Sequence, residues 1–201
     1  MKASNFKRNL IATVVLASAS ISITALTTSI AMAETASSVS AAESTKPVDI
    51  IKDFLQNTAP DKIDAAAKRL VATDATYISL NFDNPEMKQI LPWTGTSKGP
   101  EAFSSTFARV AKYWKIEDFK VTDMFGTDED VAVFGEFTYR SISLGKSFRS
   151  PFSIHAKVKD NKITYFQFME DTYASASSFR KSGNWLIQTS PSKKAYKVGL
   201  K

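Results

Sequence analysis

Lys162-Ile-Thr-Tyr-Phe-Gln-Phe-Met-Glu-Asp171 is the stretch on which the fold turns. Its β-branched and aromatic residues read as one strand, and the Asp160-Asn161 pair before it supplies a tight turn. The strand closes on two carboxylates, Glu170 and Asp171, ahead of the softer Thr172–Ser178. Neighbours in a regular strand point to opposite faces, so at most one of the two looks inward. Asp171 has two readings. It is a solvated end-cap that hydrogen-bonds the next turn, or it is the inward group, its pKa raised by an apolar pocket. The second reading makes Asp171 the catalytic candidate.

Upstream, Ser147–Lys159, Val131–Ser143 and Lys115–Phe125 have the same strand character, joined by turns at Gly145 and at the acidic Thr127–Asp130. Consecutive strands with short turns form an antiparallel, strongly curved sheet. Pro47 and Asp61 open two helices, and Asp74–Phe82 alternates as a strand. The long connection Asp83–Ser97 has room for one helical turn at Glu86–Leu91. Gly99-Pro100 starts a third helix whose stripe includes Phe103, Phe107, Val110 and Trp114. The fold class is therefore α+β: a curved antiparallel sheet with three helices packed on its concave face. Such a cone has an open end suited to a small molecule.

The 201 residues are 43% hydrophobic, enough for one domain with a real core. Without cysteine there is no disulfide, thiolate metal site or cysteine nucleophile, and a single histidine rules out a multi-histidine zinc site, so no cofactor is expected. Lys2, Lys7 and Arg8, the uncharged run Leu10–Ile30 and Ala31-Met32-Ala33 have the order of a cleaved signal peptide. Residues 1–33 are read as that signal, 34–46 as a flexible lead, 47–181 as the α+β domain and 182–201 as a basic tail. Trp185–Ile187 in the tail is a candidate for docking on the sheet. Cleavage after Ala33 implies a periplasmic or secreted protein with no membrane attachment afterwards. Removing three basic residues from 26, against 20 acidic ones, leaves +3, too mild to point to nucleic acid.

Tyr77, Trp93, Trp114 and Tyr165, with Tyr113 and Tyr139, are candidates to line a cavity for a flat apolar ligand; the plain alternative for each is core packing. Trp93 stands out because it lies on the long connection. His155 is a candidate ligand contact or partner of Asp171. Alternation, however, sets Phe152, Ile154, Ala156 and Val158 towards the core and His155 on the other face with Ser153 and Lys157.

Asp61–Tyr77 resembles the second helix and first strand of the SnoaL-like group in the nuclear transport factor 2-like superfamily, which includes ketosteroid isomerase. Thr96-Ser-Lys-Gly-Pro-Glu-Ala-Phe103 is similar to that group's third-helix start, and Asn161 to Asp171 to its last-strand signature ending on an acid. The resemblance spans Pro47–Lys181 and implies the cone fold, with a homodimer formed through the sheet. It also implies that Asp171 takes the place of the acid/base of the polyketide cyclases. The isomerase's own groups are missing, since Ser79 stands for its aspartate and Phe54 for its tyrosine. Two functions follow. One is a cofactor-free lyase, isomerase or cyclase acting on a small apolar molecule; the other is a non-catalytic exported binding or interaction module using the same cone.

Overall fold

The computed structural model describes residues 46–199, so the segment read as a signal and nearly all of the expected lead lie outside the described residues. The chain runs α1 (Pro47–Gln56), α2 (Ile63–Leu70), β1 (Val71–Ser79), α3 (Pro85–Ile90), β2 (Gly95–Lys98), α4 (Pro100–Tyr113) and β3 (Trp114–Gly126). It continues through β4 (Asp130–Ser141), β5 (Ser147–Lys159), β6 (Lys162–Glu170), α5 (Thr172–Ser177), β7 (Asn184–Ile187) and β8 (Tyr196–Gly199). The expected class holds: helices over a six-stranded sheet of order β2-β1-β6-β5-β4-β3.

Local chemistry explains the element ends. Proline occupies the first turn of α1, α3 and α4, where its missing N–H costs nothing. The Asn84 side chain caps α3 by accepting from the Met87 N–H at 2.9 Å. Asp160 and Asn161 both adopt positive φ, 50° and 60°, which is the two-residue turn that delivers β6 beside β5.

Three features differ from the sequence reading. The pairing of β1 with β6 is parallel, while all the others are antiparallel. After three hairpin reversals from β3 the chain returns along β1 in the same direction. Thr96–Lys98 is an edge strand on β1 rather than the approach to a helix. Gly99, at φ 79°, separates it from α4, and a Cβ there would stand 3.1 Å from the Thr73 carbonyl. The tail segment does not dock on the sheet: β7 pairs with β8 as a separate two-stranded unit.

The core is aromatic. Phe54 of α1, Phe103 of α4 and Phe166 of β6 are fully buried and meet edge to face at 5.6–5.7 Å. Tyr77 of β1 stacks on Phe103 at 4.8 Å. Edge-to-face pairs add about 0.5–1.5 kcal/mol each beyond their burial, so this cluster fastens both helices to the neighbouring strands β1 and β6. It fills only part of the cone.

Candidate functional site

The rest of the cone is a cavity of about 340 Å³, within the range of small-molecule sites. Its walls come from every layer: Leu55 of α1, Phe107 of α4, Trp93 from the α3–β2 connection, Trp114 and Phe119 of β3, and Phe168 of β6. Trp93 and Trp114 meet edge to face at 4.7 Å. The Trp114 indole N–H donates to Ser178 Oγ at 3.0 Å, which fixes the ring as a wall.

One carboxylate enters this apolar space, and it is Glu170. Phe166, Phe168 and Glu170 alternate inward along β6 and all line the cavity. Glu170 Oε1 is sealed from solvent and has no hydrogen-bond partner. Burial raises its pKa to about 7; a Ser175 hydrogen bond pulls the other way, and the charge of Asp171 adds a smaller push upward. A carboxyl with that value is part acid and part base at neutral pH, as proton-transfer catalysis needs.

Tyr77 and Ser79 of β1 and Tyr139 of β4 face the same cavity, whose lining also includes the polar Gln56, Thr58 and Thr106. Burial pushes both phenols well above the usual tyrosine range, with the Glu170 charge contributing at each and a Ser79 hydrogen bond opposing the rise at Tyr77. Both therefore stay protonated and can donate. Among the described residues, no Lys, Arg or His lines the cavity. Among the described residues, no three His, Asp or Glu side chains gather as a metal site would.

The sequence candidates separate cleanly. Tyr77, Trp93 and Trp114 line the cavity. Asp171 does not: it is exposed, caps α5 by accepting from the Ala174 N–H at 3.0 Å, and donates its own N–H to Ser150 Oγ at 2.8 Å. The inward carboxylate is its neighbour, because β6 runs in regular alternation to its end. The placement of Asp171 in the pocket is thus corrected to Glu170. Tyr165 and His155 are also corrected. They share the outer face of the sheet, ring centres 5.3 Å apart, away from the cavity. His155 Nε2 lies 2.6 Å from Asp130 Oδ1, and Lys157 Nζ lies 2.8 Å from the same oxygen. Lys157 first, then His155, hold the Asp130 carboxyl below the usual range. The readable signal for Glu170 was its two-residue phase with Phe166 and Phe168.

No family model matches the chain. Patulin synthesis protein F of Aspergillus clavatus is 46% identical over 136 residues, spanning 66% of this chain and 68% of that protein. Among solved structures, a nuclear transport factor 2-like protein of Burkholderia thailandensis superposes with a TM-score of 0.58 at 19% identity, covering 68% of this chain and 99% of its own. TerC, co-crystallised with polyporic acid, superposes with a TM-score of 0.54 at 18% identity, covering 65% and 95%.

Proposed function

This chain belongs to the family of the patulin synthesis F proteins and has the nuclear transport factor 2-like, SnoaL-like fold, and on that premise we propose that it is a cofactor-free acid/base enzyme of small-molecule biosynthesis, with Glu170 as the proton carrier. The observation that carries this reading is a carboxylate whose Oε1 is sealed and without a hydrogen-bond partner, sharing a largely apolar cavity with two protonated phenols. A buried carboxyl oxygen left without a partner is costly to keep as structure and useful as chemistry.

In the proposed reaction Glu170 takes a proton from a carbon next to a carbonyl of the substrate. The developing negative oxygen accepts a hydrogen bond from Tyr77 or Tyr139, and Glu170 returns the proton at another position. Isomerisation and ring closure by this route consume nothing and need no second reactant. The name of the relative points to a step in patulin synthesis, and the co-crystallisation of TerC with polyporic acid supports a small organic molecule as occupant.

The test is replacement of the F protein in Aspergillus clavatus by this chain. Wild type is expected to restore patulin and Glu170→Gln, at equal abundance, to give none. Restoration by Glu170→Gln would remove the acid/base assignment. Failure of an abundant wild type would remove the shared substrate. Ligand retention by both proteins with turnover by neither would favour the binding module.

Export and pairing complete the proposal. The basic start, apolar run and Ala31-Met32-Ala33 support cleavage after Ala33; an N-terminus still at Met1 in protein recovered from its own host would count against it. Phe125 and Phe134, exposed and stacked at 6.0 Å on the outer sheet face, support a homodimer through that face. A Phe134→Glu variant that sediments as wild type does would count against the dimer.

A further inference from the structure

The charge of this chain is distributed unevenly. Residues 172–201 hold six basic residues, Arg180, Lys181, Lys193, Lys194, Lys197 and Lys201, and no acidic one. With those six and the three of the leader removed from 26, residues 34–171 keep 17 basic residues against all 20 acidic ones. The body is mildly negative and its last segment strongly positive. Among the described residues, no basic side chain lines the cavity.

The structure gives that segment a shape. After α5 the chain folds back as β7 and β8, with Trp185 opposite Val198 and Ile187 opposite Tyr196, so four apolar side chains share one face. Leu186 stands on the other, opposite Lys197. None is core: Trp185 is 53% exposed, Leu186 72% and Tyr196 51%. The Trp185 ring is held at the hairpin's root, edge-on to Tyr173 at 5.5 Å and beneath the Arg180 guanidinium at 5.8 Å. A two-stranded hairpin with its large apolar groups in water has little stability of its own to gain from them.

We infer that the β7–β8 hairpin is a docking element for an anionic lipid surface, entering edge-on so that Trp185 and Tyr196 of one face and Leu186 of the other reach the interfacial layer while the surrounding lysines meet the headgroups. Indole and phenol rings suit that layer, where one end of the ring is apolar and the other wet. A cluster of basic residues with no acidic residue among them is the charge complement of an anionic leaflet. A nucleic acid would satisfy the lysines but leave Leu186 and Val198 uncovered. The mildly negative body turns away from such a surface, so the charge asymmetry presents the hairpin first. Attachment would be peripheral, since no described helix is long and apolar enough to cross a membrane. The inference does not depend on the chemistry at Glu170, but it would place the cavity where apolar substrates collect.

The experiment is vesicle sedimentation of residues 34–201, which hold every described element and the whole core. Phosphatidylcholine vesicles are compared with vesicles containing about one-third phosphatidylserine. The proposal expects at least about fivefold more pelleting with the anionic vesicles, lost in roughly 0.5 M salt. It also expects a drop of about tenfold for Trp185→Ala with Leu186→Ala, and loss of binding for Lys193→Glu with Lys194→Glu and Lys197→Glu. The replaced side chains are exposed, so both variants should melt as wild type does. Equal pelleting with neutral and anionic vesicles, no pelleting of wild type, or indifference to the Trp185 and Leu186 changes would overturn the inference. So would conversion of a dimer to a monomer by those changes in the absence of lipid, which would make the hairpin a self-contact.

Discussion

Replacing Glu170 by Gln should stabilise the protein above neutral pH relative to its effect in acid. The carboxyl ionises near 7 in the fold against 4.5 for an unburied glutamate. Below 4.5 the folded and unfolded states are both protonated and the group contributes no difference. Between 4.5 and 7 the unfolded chain has released a proton that the fold retains, so wild-type stability falls as pH rises. Above 7 both states are ionised and the full cost of a buried charge is present. A gap of about 2.5 pH units corresponds to about 3 kcal/mol. This is an upper figure, because Oε1 is sealed while the residue as a whole keeps some open surface. Glutamine keeps the shape and cannot ionise, and any cost of its amide is the same at every pH. Urea unfolding of both proteins from about pH 4 to about pH 9 reads the difference directly. The stability of the variant minus that of wild type should rise by up to about 3 kcal/mol across the interval and then level off. A difference that stays constant with pH would show a solvated carboxylate and refute the reasoning.

Other substitutions separate neighbouring roles. Asp171→Ala should cost about 1 kcal/mol through the lost cap of α5, measured by urea unfolding, while turnover survives. Removing its charge should also move the pH profile of turnover slightly towards acid, since Asp171 raises Glu170. Tyr139→Phe should lower kcat by about 10- to 100-fold with little change in KM, if its hydroxyl stabilises the developing oxyanion. Gly135→Ala should destabilise by about 1–3 kcal/mol or more, because its Cβ would fall 2.2 Å from the Lys120 carbonyl and 2.5 Å from the Phe152 ring. Phe152 lies opposite Glu170 on the sheet and stacks on Phe119 at 4.7 Å, so the same change should weaken ligand binding.

Much of the fold could be read locally. The Asp160-Asn161 turn, the prolines that open α1 and α4 and the alternation of β4, β5 and β6 each act within a few residues, and each is where the residues place it, whereas the helix expected from Asp61 begins at Ile63. What depends on distant partners was less legible. The parallel return of β6 beside β1 follows from the path of the whole chain, and the edge pairing of Thr96–Lys98 needs β1 as its neighbour. The site shows the same division. Trp93, Tyr77 and Trp114 are large rings on elements that converge, and they meet at the cavity. Glu170 and Asp171 differ by one position, and the decision between them belongs to strand phase. Phe166 and Phe168 set that phase inward, and Asp171 falls past the last strand residue, where the first turn of α5 claims its carboxylate. Tyr165 and His155 belong to the opposite phase and the outer face.

The central claim concerns one proton in one cavity, and a carbon-13 NMR titration of the glutamate side-chain carboxyls reads it most directly. The Glu170 resonance is identified by its loss in Glu170→Gln. The account predicts a midpoint near 7, well apart from the other glutamates, that moves when a ligand fills the cavity. A Glu170 midpoint at the ordinary glutamate value of 4.5, indifferent to ligand, would contradict it.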